Sequence, residues 1–154
     1  MTNGKVITGG SADPVKEDGA VAWDGDRIVD VGDRSSLTAR YPEAITLDAA
    51  GGLILPGLIN LHHHFSSALA RWLNPGTPMR TFPEVLDRLW WRLDRALDPD
   101  TIRVSALLSA ADCIRWGCTT VFDHHASPGH LDGSLDLMAG ALEKAGISGG
   151  LCYE

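Results

Sequence analysis

The spacing of hydrophobic positions changes near residue 56 and divides the chain into two regions. Before that point, short apolar runs alternate with Asp, Gly and Asn, which is typical of strands joined by tight turns. Asp24, Gly25 and Asp26 separate two of these runs and predict a hairpin. Strands are predicted at residues 6–8, 21–23, 27–31, 45–48 and 53–55, with one helical turn at 36–40. Residues 1–55 are therefore predicted to form a small β-rich subdomain.

From residue 56 to residue 154, apolar strands alternate with helical spacing. Helices are predicted from Thr81, from Asp98 and from Ser134, which we expect to cap the third helix, and Gly117 and Gly146 mark helix ends. Strands are predicted before residue 64 and at residues 118–123 and 147–153. This order is that of a parallel (β/α) barrel. The predicted fold class is α/β, a partial (β/α)8 TIM-type barrel with about three strands, preceded by the β-rich subdomain.

The length of the second region bears on whether such a barrel is complete. A full barrel takes about 250 residues, whereas the whole sequence has 154. We therefore expect residues 56–154 to be the truncated first part of a barrel in a longer enzyme. Open strand edges would then make the isolated chain poorly soluble. The alternative is an independent, non-catalytic module that binds a metal ion or a partner.

Three consecutive histidines follow the first strand of the second region. His62 and His64 are two residues apart, so their side chains leave a strand on the same face, whereas His63 leaves on the other. Active sites of parallel barrels lie at the C-terminal ends of the strands. Neutral imidazole is the commonest protein ligand for zinc and related ions. We predict that His62 and His64 bind one divalent metal ion and that His63 is structural or supports the metal ligands from outside the coordination shell.

A second histidine pair, His124 and His125, ends the next strand and should lie at the same barrel end. Because neighbouring residues alternate faces, only one of the two should contact substrate. We favour His125, since Asp123 would share its face and orient the imidazole, and we expect His124 to face the helices. The alternative is a structural pair that bonds neighbouring loops.

Composition excludes several classes of function. The net charge is −7, and the 13 Lys and Arg residues form no cluster, which argues against a nucleic-acid partner. No apolar run approaches the ~18 residues of a membrane helix, and the N-terminus lacks the apolar core of a signal peptide. We expect a cytoplasmic protein with a small-molecule substrate. The three cysteines, an odd number without a Cys-x-x-Cys motif, should be buried free thiols.

Residues 56–64, Pro-Gly-Leu-Ile-Asn-Leu-His-His-His, resemble the signature of the amidohydrolase superfamily of metal-dependent hydrolases. The segment 25–32 is similar to the N-terminal subdomain of that superfamily. Residues 89–97 and 123–128 resemble the SsnA group of aminohydrolases, which is related to enzymes that act on triazines and guanine-like bases. The resemblance covers essentially the whole chain.

This resemblance implies a mononuclear centre with zinc, or alternatively iron, and His62 and His64 match its first two ligands. The remaining ligands and the proton-transferring groups of the family come from later strands and match no residue here. The implied reaction is deamination of a ring amine by hydroxide formed at the metal, with amide or lactam hydrolysis as the alternative. Because catalytic zinc normally has three protein ligands, we expect this chain alone to be inactive. A homo-oligomer is compatible with the resemblance.

Overall fold

The computed structural model describes residues 1–10, 14–71 and 73–154. These residues form two compact units, Met1–Pro56 and Gly57–Glu154. Within the described ranges, no helix is long and apolar enough to cross a membrane.

The first unit contains β1 (Gly4–Ile7), β2 (Val15–Asp24), β3 (Arg27–Asp33), α1 (Arg34–Arg40) and β4 (Leu53–Ile54). Its strands form one sheet in the order β3-β2-β1-β4. Strand β2 runs antiparallel to both β1 and β3, and β4 joins β1 in parallel. Asp24 pairs with Arg27, so Gly25 and Asp26 form the two-residue turn, and Gly25 takes the positive φ that such turns require. The predicted hairpin is confirmed.

The strand predicted at residues 45–48 is wrong. Only a single bridge joins Thr2 to Asp48, and the Ile45 side chain is 91% exposed. The Asp48 carboxylate accepts hydrogen bonds from the Asn3 side-chain amide and from Ala50 N, each at 2.7 Å. A side chain that bonds the backbone two residues ahead favours a turn over a strand. The segment is therefore held to Thr2 by this one bridge and does not continue as a strand.

The second unit contains the strands β5 (Leu58–His63), β6 (Cys118–His125) and β7 (Ser148–Tyr153). They form a parallel sheet in the order β5-β6-β7, with β6 at its centre. Helices connect the strands, as the alternating pattern predicts, and the architecture is α/β. The helices are α2 (Ser67–Ala70), α3 (Phe82–Val85), α4 (Trp91–Ala96), α5 (Pro99–Arg115) and α6 (Ser134–Ala145).

The core of the second unit lies between β6 and the helices α5 and α6. It contains Val121 of β6 with Ile102, Ala106 and Met138 from the two helices, all of them fully buried. Val121 therefore defines the face of β6 that meets the helical layer. Residues two and four positions further along β6 must leave the strand on this same face.

Two helices differ from their predicted form. The helix expected from Thr81 to residue 97 is interrupted by a π-helical segment, Leu86–Trp90, between α3 and α4. Its predicted start is confirmed, because Thr81 N donates to Glu84 Oε2 at 3.1 Å. Helix α6 begins at Ser134, but its N-cap is Gly133 with a left-handed backbone, so the prediction of Ser134 as the cap is wrong. The buried Ser134 hydroxyl instead donates to Leu131 O.

Candidate metal centre

His62 and His64 lie together at the C-terminal end of β5. Their Nε2 atoms are 3.2 Å apart, and the two rings meet edge to face with centroids separated by 5.0 Å. This arrangement follows from the two-residue period of a strand, which carries both side chains to the same face. The structure therefore brings together the two residues that the sequence predicts as metal ligands.

A hydrogen bond to the His124 backbone determines which nitrogen of the His64 ring can bind a metal ion. His64 Nδ1 lies 2.8 Å from the backbone oxygen of His124. A carbonyl oxygen only accepts, so Nδ1 carries the proton and Nε2 of the neutral ring presents a lone pair toward His62. Ligand histidines in metal sites are held in the same way, by a backbone carbonyl on the nitrogen that does not bind the ion.

The separation of the two Nε2 atoms fits a shared ion. Two zinc–nitrogen bonds of about 2.0–2.1 Å at a tetrahedral angle place their nitrogens about 3.3 Å apart, close to the 3.2 Å observed. Among the residues that the structure describes, no group of three or more His, Cys, Asp or Glu side chains is arranged to hold a metal ion. The pair can therefore supply two of the three protein ligands that a catalytic zinc ion normally has.

His63 lies on the opposite face of β5, as strand parity predicts. Its Nδ1 is 3.7 Å from Asp123 Oδ1, and its ring packs near Phe65. Asp123 is buried, and its Oδ1 accepts from Phe65 N at 2.6 Å, which ties the segment after the histidines to β6. In the described part of the chain, two buried side-chain atoms lack a hydrogen-bond partner, His63 Nδ1 and Asp123 Oδ2.

The predicted orientation of the second histidine pair is reversed in the structure. The His124 ring stacks on the His62 ring at a centroid distance of 4.6 Å, with 30° between the planes. His125 is instead buried on the face of β6 that meets the helices. Asp123 does share a face with His125, as predicted, but that face is the one that Val121 turns toward the helices. Two adjacent apolar residues, Val121 and Phe122, precede the pair, so the sequence alone does not tell which parity is inward.

His125 takes part in a buried hydrogen-bond chain. The Ser127 hydroxyl donates to His130 O at 2.7 Å, so Ser127 Oγ must accept from His125 Nε2, which lies 2.9 Å away. Burial lowers the pKa of His125 below 6.5, and the nearby carboxylates of Asp123 and Glu154 oppose that shift. His125 is therefore a neutral structural residue in this arrangement.

Cys152 is a residue of this region that the sequence interpretation missed. The expectation of a buried thiol is wrong for Cys152, which is exposed, whereas Cys113 is buried and Cys118 partly buried. Its Sγ lies 3.4 Å from His124 Nδ1 and 3.5 Å from Asp123 O. Cys152 is the direct partner of His124 in the register between β6 and β7. Only the strand register, which the sequence does not give, reveals this contact.

A cavity of about 330 Å³ lies beside the histidines. Its wall combines aromatic rings with two carboxylates, and burial together with the Glu154 charge raises the pKa of Asp94. Trp90 packs against the core and Trp91 is 48% exposed, yet both line this cavity. The lining residues are His64, Ser66, Ser67, Phe82, Leu86, Trp90, Trp91, Asp94, His124, Ala126 and Glu154.

Known proteins share this sequence and architecture. Residues 53–153 match the model of the amidohydrolase family, and residues 19–44 match an imidazolonepropionase-like composite domain of bacteria. An 8-oxoguanine deaminase of Pseudomonas aeruginosa is 36% identical over 132 residues, which are 84% of this chain and 28% of that protein. A 5-methylthioadenosine/S-adenosylhomocysteine deaminase of Thermococcus kodakarensis is 34% identical over 153 residues, 99% of this chain and 32% of the relative.

Solved structures share the architecture of this chain. A variant of atrazine chlorohydrolase TrzN from Arthrobacter aurescens, complexed with zinc and atraton, superimposes with a TM-score of 0.73 at 26% identity, over 96% of this chain and 33% of the other. Guanine deaminase of E. coli shares the fold with a TM-score of 0.75 at 17% identity, over 97% of this chain and 36% of the other. The chain thus spans about a third of the length of these proteins. It belongs to the amidohydrolase family.

Proposed function

We propose that this protein is a metal-dependent hydrolase of non-peptide C–N bonds that releases ammonia from an amino-substituted ring. The observation that carries the proposal is the geometry of His62 and His64, whose Nε2 atoms lie 3.2 Å apart while a backbone carbonyl holds the far nitrogen of His64. The deaminases among the relatives support the reaction class.

The proposed metal is zinc, with iron as the alternative, and His62 and His64 supply two of its ligands. The zinc in the related chlorohydrolase structure supports this choice. A bound divalent ion lowers the pKa of water to about 7 and so supplies a nucleophile at neutral pH. This chain's contribution is to bring the Nε2 atoms of two imidazoles to one position and to hold the His64 ring with its proton on Nδ1.

The cavity beside the pair is the proposed substrate site. The side chains of Phe82, Trp90 and Trp91 offer flat apolar surfaces on which an aromatic ring can stack. The carboxylates of Asp94 and Glu154 can accept hydrogen bonds from ring N–H or amino groups. A flat nitrogen heterocycle matches this combination of stacking surfaces and acceptors.

We further propose that the second unit forms the first three strands of a (β/α)8 barrel. Its strands are parallel, follow each other in sheet order and are joined by helices. The histidines lie at the C-terminal strand ends, which is where barrel enzymes carry their active sites. The barrel relatives with matching folds support this assignment.

A substrate panel tests the reaction class. The product of the whole gene would be loaded with zinc and assayed for ammonia release from 8-oxoguanine, guanine, 5-methylthioadenosine and an aminotriazine. We expect deamination of at least one ring with the ring left intact, and loss of the activity in His62→Ala. His130→Ala serves as the matched histidine control. Ring opening of a lactam without deamination of any of the four would contradict the proposal and favour the amide-hydrolase alternative.

A further inference from the structure

His124 contacts both candidate metal ligands, and it does so with two different parts of the residue. Its ring stacks on the His62 ring at 4.6 Å, with the planes 30° apart. Its backbone oxygen accepts the hydrogen bond from His64 Nδ1 at 2.8 Å. The orientations of both ligand rings therefore depend on the position of this one residue of β6.

The stacked geometry makes His124 a neighbour of the metal position rather than a ligand that shares it with His62. An imidazole nitrogen directs its lone pair within the plane of the ring. Two rings stacked nearly parallel hold their lone pairs side by side, so these do not converge on one ion. His62 and His64 differ in this respect, because their planes are 78° apart and their Nε2 atoms meet.

Cys152 holds the His124 ring from the neighbouring strand. Its Sγ is within hydrogen-bond reach of both Asp123 O and His124 Nδ1. Because the carbonyl can only accept, the Cys152 thiol donates its hydrogen bond to Asp123 O, and the sulfur can then accept a hydrogen bond from His124 Nδ1. This arrangement places the His124 proton on Nδ1 and fixes the rotation of the ring.

We propose that Cys152 and His124 are positioning residues that hold His62 and His64 in metal-binding geometry. The inference rests on the proposed function, since it concerns the same metal site. The contacts run from β7 through β6 to β5, from the thiol to the stacked imidazole and then to the ligand ring. Residues that orient metal ligands from behind typically change metal affinity by about 10–100-fold when they are removed.

Zinc affinity of the protein as its gene encodes it, measured by competition with a chromophoric chelator, tests the proposal. We expect zinc binding about 10–100-fold weaker in His124→Ala and about 10-fold weaker in Cys152→Ala. Cys152→Ser keeps a donor and an acceptor and should recover most of the affinity. His124→Phe keeps the stacking surface but loses Nδ1, so it should lie between wild type and His124→Ala. The matched controls Cys118→Ala and His130→Ala should bind zinc as wild type does.

Two spectroscopic readouts separate positioning from a general effect on folding. The absorption spectrum of the cobalt-substituted protein should shift in Cys152→Ala and His124→Ala but not in the two controls. In the metal-free protein, imidazole nitrogen chemical shifts should show His124 protonated at Nδ1 in wild type and at Nε2 in Cys152→Ala. If either alanine variant fails to fold by circular dichroism, Cys152→Val, which can neither donate nor accept, and His124→Phe decide through the same spectra.

Unchanged zinc affinity and unchanged cobalt spectra in Cys152→Ala and His124→Ala would overturn the inference. The proposed function would survive that result as long as His62→Ala still loses zinc. Absence of zinc binding by the wild-type protein would instead overturn both the proposed function and this inference.

Discussion

At the scale of single residues, hydrogen-bond partners separate the roles of histidines that are neighbours in the sequence. The His64 ring is held by the backbone carbonyl of His124 and presents the lone pair of its Nε2 atom. His125 Nε2 instead donates a hydrogen bond to the buried Ser127 hydroxyl. His63 points to the far side of the strand, near Asp123. These environments suit metal binding for the first residue and a structural role for the other two.

Burial of neutral His125 predicts a pH dependence of stability. Its pKa is below 6.5 in the folded protein, while an unfolded chain takes up this proton near 6.5. The unfolded state therefore binds more protons as the pH falls through that value, so the contribution of His125 is present above about pH 6.5 and is lost below it. Between about pH 7.5 and pH 5.5, the melting temperature should fall more in wild type than in His125→Gln.

Differential scanning calorimetry of both proteins at the two pH values measures this difference. His130→Gln is the control and should follow wild type. An equal decrease in wild type and His125→Gln would show that His125 does not carry the effect.

The sequence was sufficient to predict that the His62 and His64 side chains lie together, because their two-residue spacing on a strand places them on one face whatever the partner strands are. It failed for His124 and His125 because the face of β6 that becomes buried depends on packing by α5 and α6. The contact of Cys152 depends on the register between two parallel strands. That register is set by tertiary contacts between residues far apart in the chain.

At the scale of elements, α5 shows how a local pattern can specify both ends and faces of a helix. Asp98 Oδ1 accepts from Thr101 N at 2.8 Å, and Thr101 Oγ1 accepts from Asp98 N at 2.8 Å, so the start predicted at this residue is confirmed. Gly117 has a positive φ just after the helix. Ile102 is fully buried, whereas Val104 is 47% exposed on another face.

The two faces of α5 predict different costs for similar truncations. Ile102→Ala removes a fully buried side chain of the core, and we expect it to lower the free energy of unfolding by about 2–5 kcal/mol. Val104→Ala on the same helix should change it by less than about 1 kcal/mol. Urea unfolding of the two variants measures both values. Equal losses would mean that α5 does not pack on the sheet through the face that carries Ile102.

The structure of two segments could not be predicted from the local spacing of apolar residues. Residues 45–48 have the composition of a strand, but the side-chain bonds of Asp48 turn the chain there. The helix after Thr81 has continuous helical spacing, yet it contains a π-helical segment that ends at Trp90. Both departures depend on contacts that apolar periodicity does not encode.

At the scale of the whole molecule, the candidate site is assembled from the ends of three parallel strands. β5 provides His62 and His64, β6 provides His124, and β7 provides Cys152. The alternating strand and helix pattern was sufficient to predict this parallel arrangement. The cavity wall that contains Trp91 depends on α4 lying over the strand ends, a tertiary contact that the local sequence pattern does not encode.

The central claim is that His62 and His64 bind the metal ion and His63 does not. Elemental analysis of the protein as its gene encodes it, purified in the presence of zinc, tests this claim most directly. We predict about one bound metal ion per chain in wild type and in His63→Ala, and none in the His62→Ala, His64→Ala double variant. Full metal occupancy in the correctly folded double variant would contradict the account.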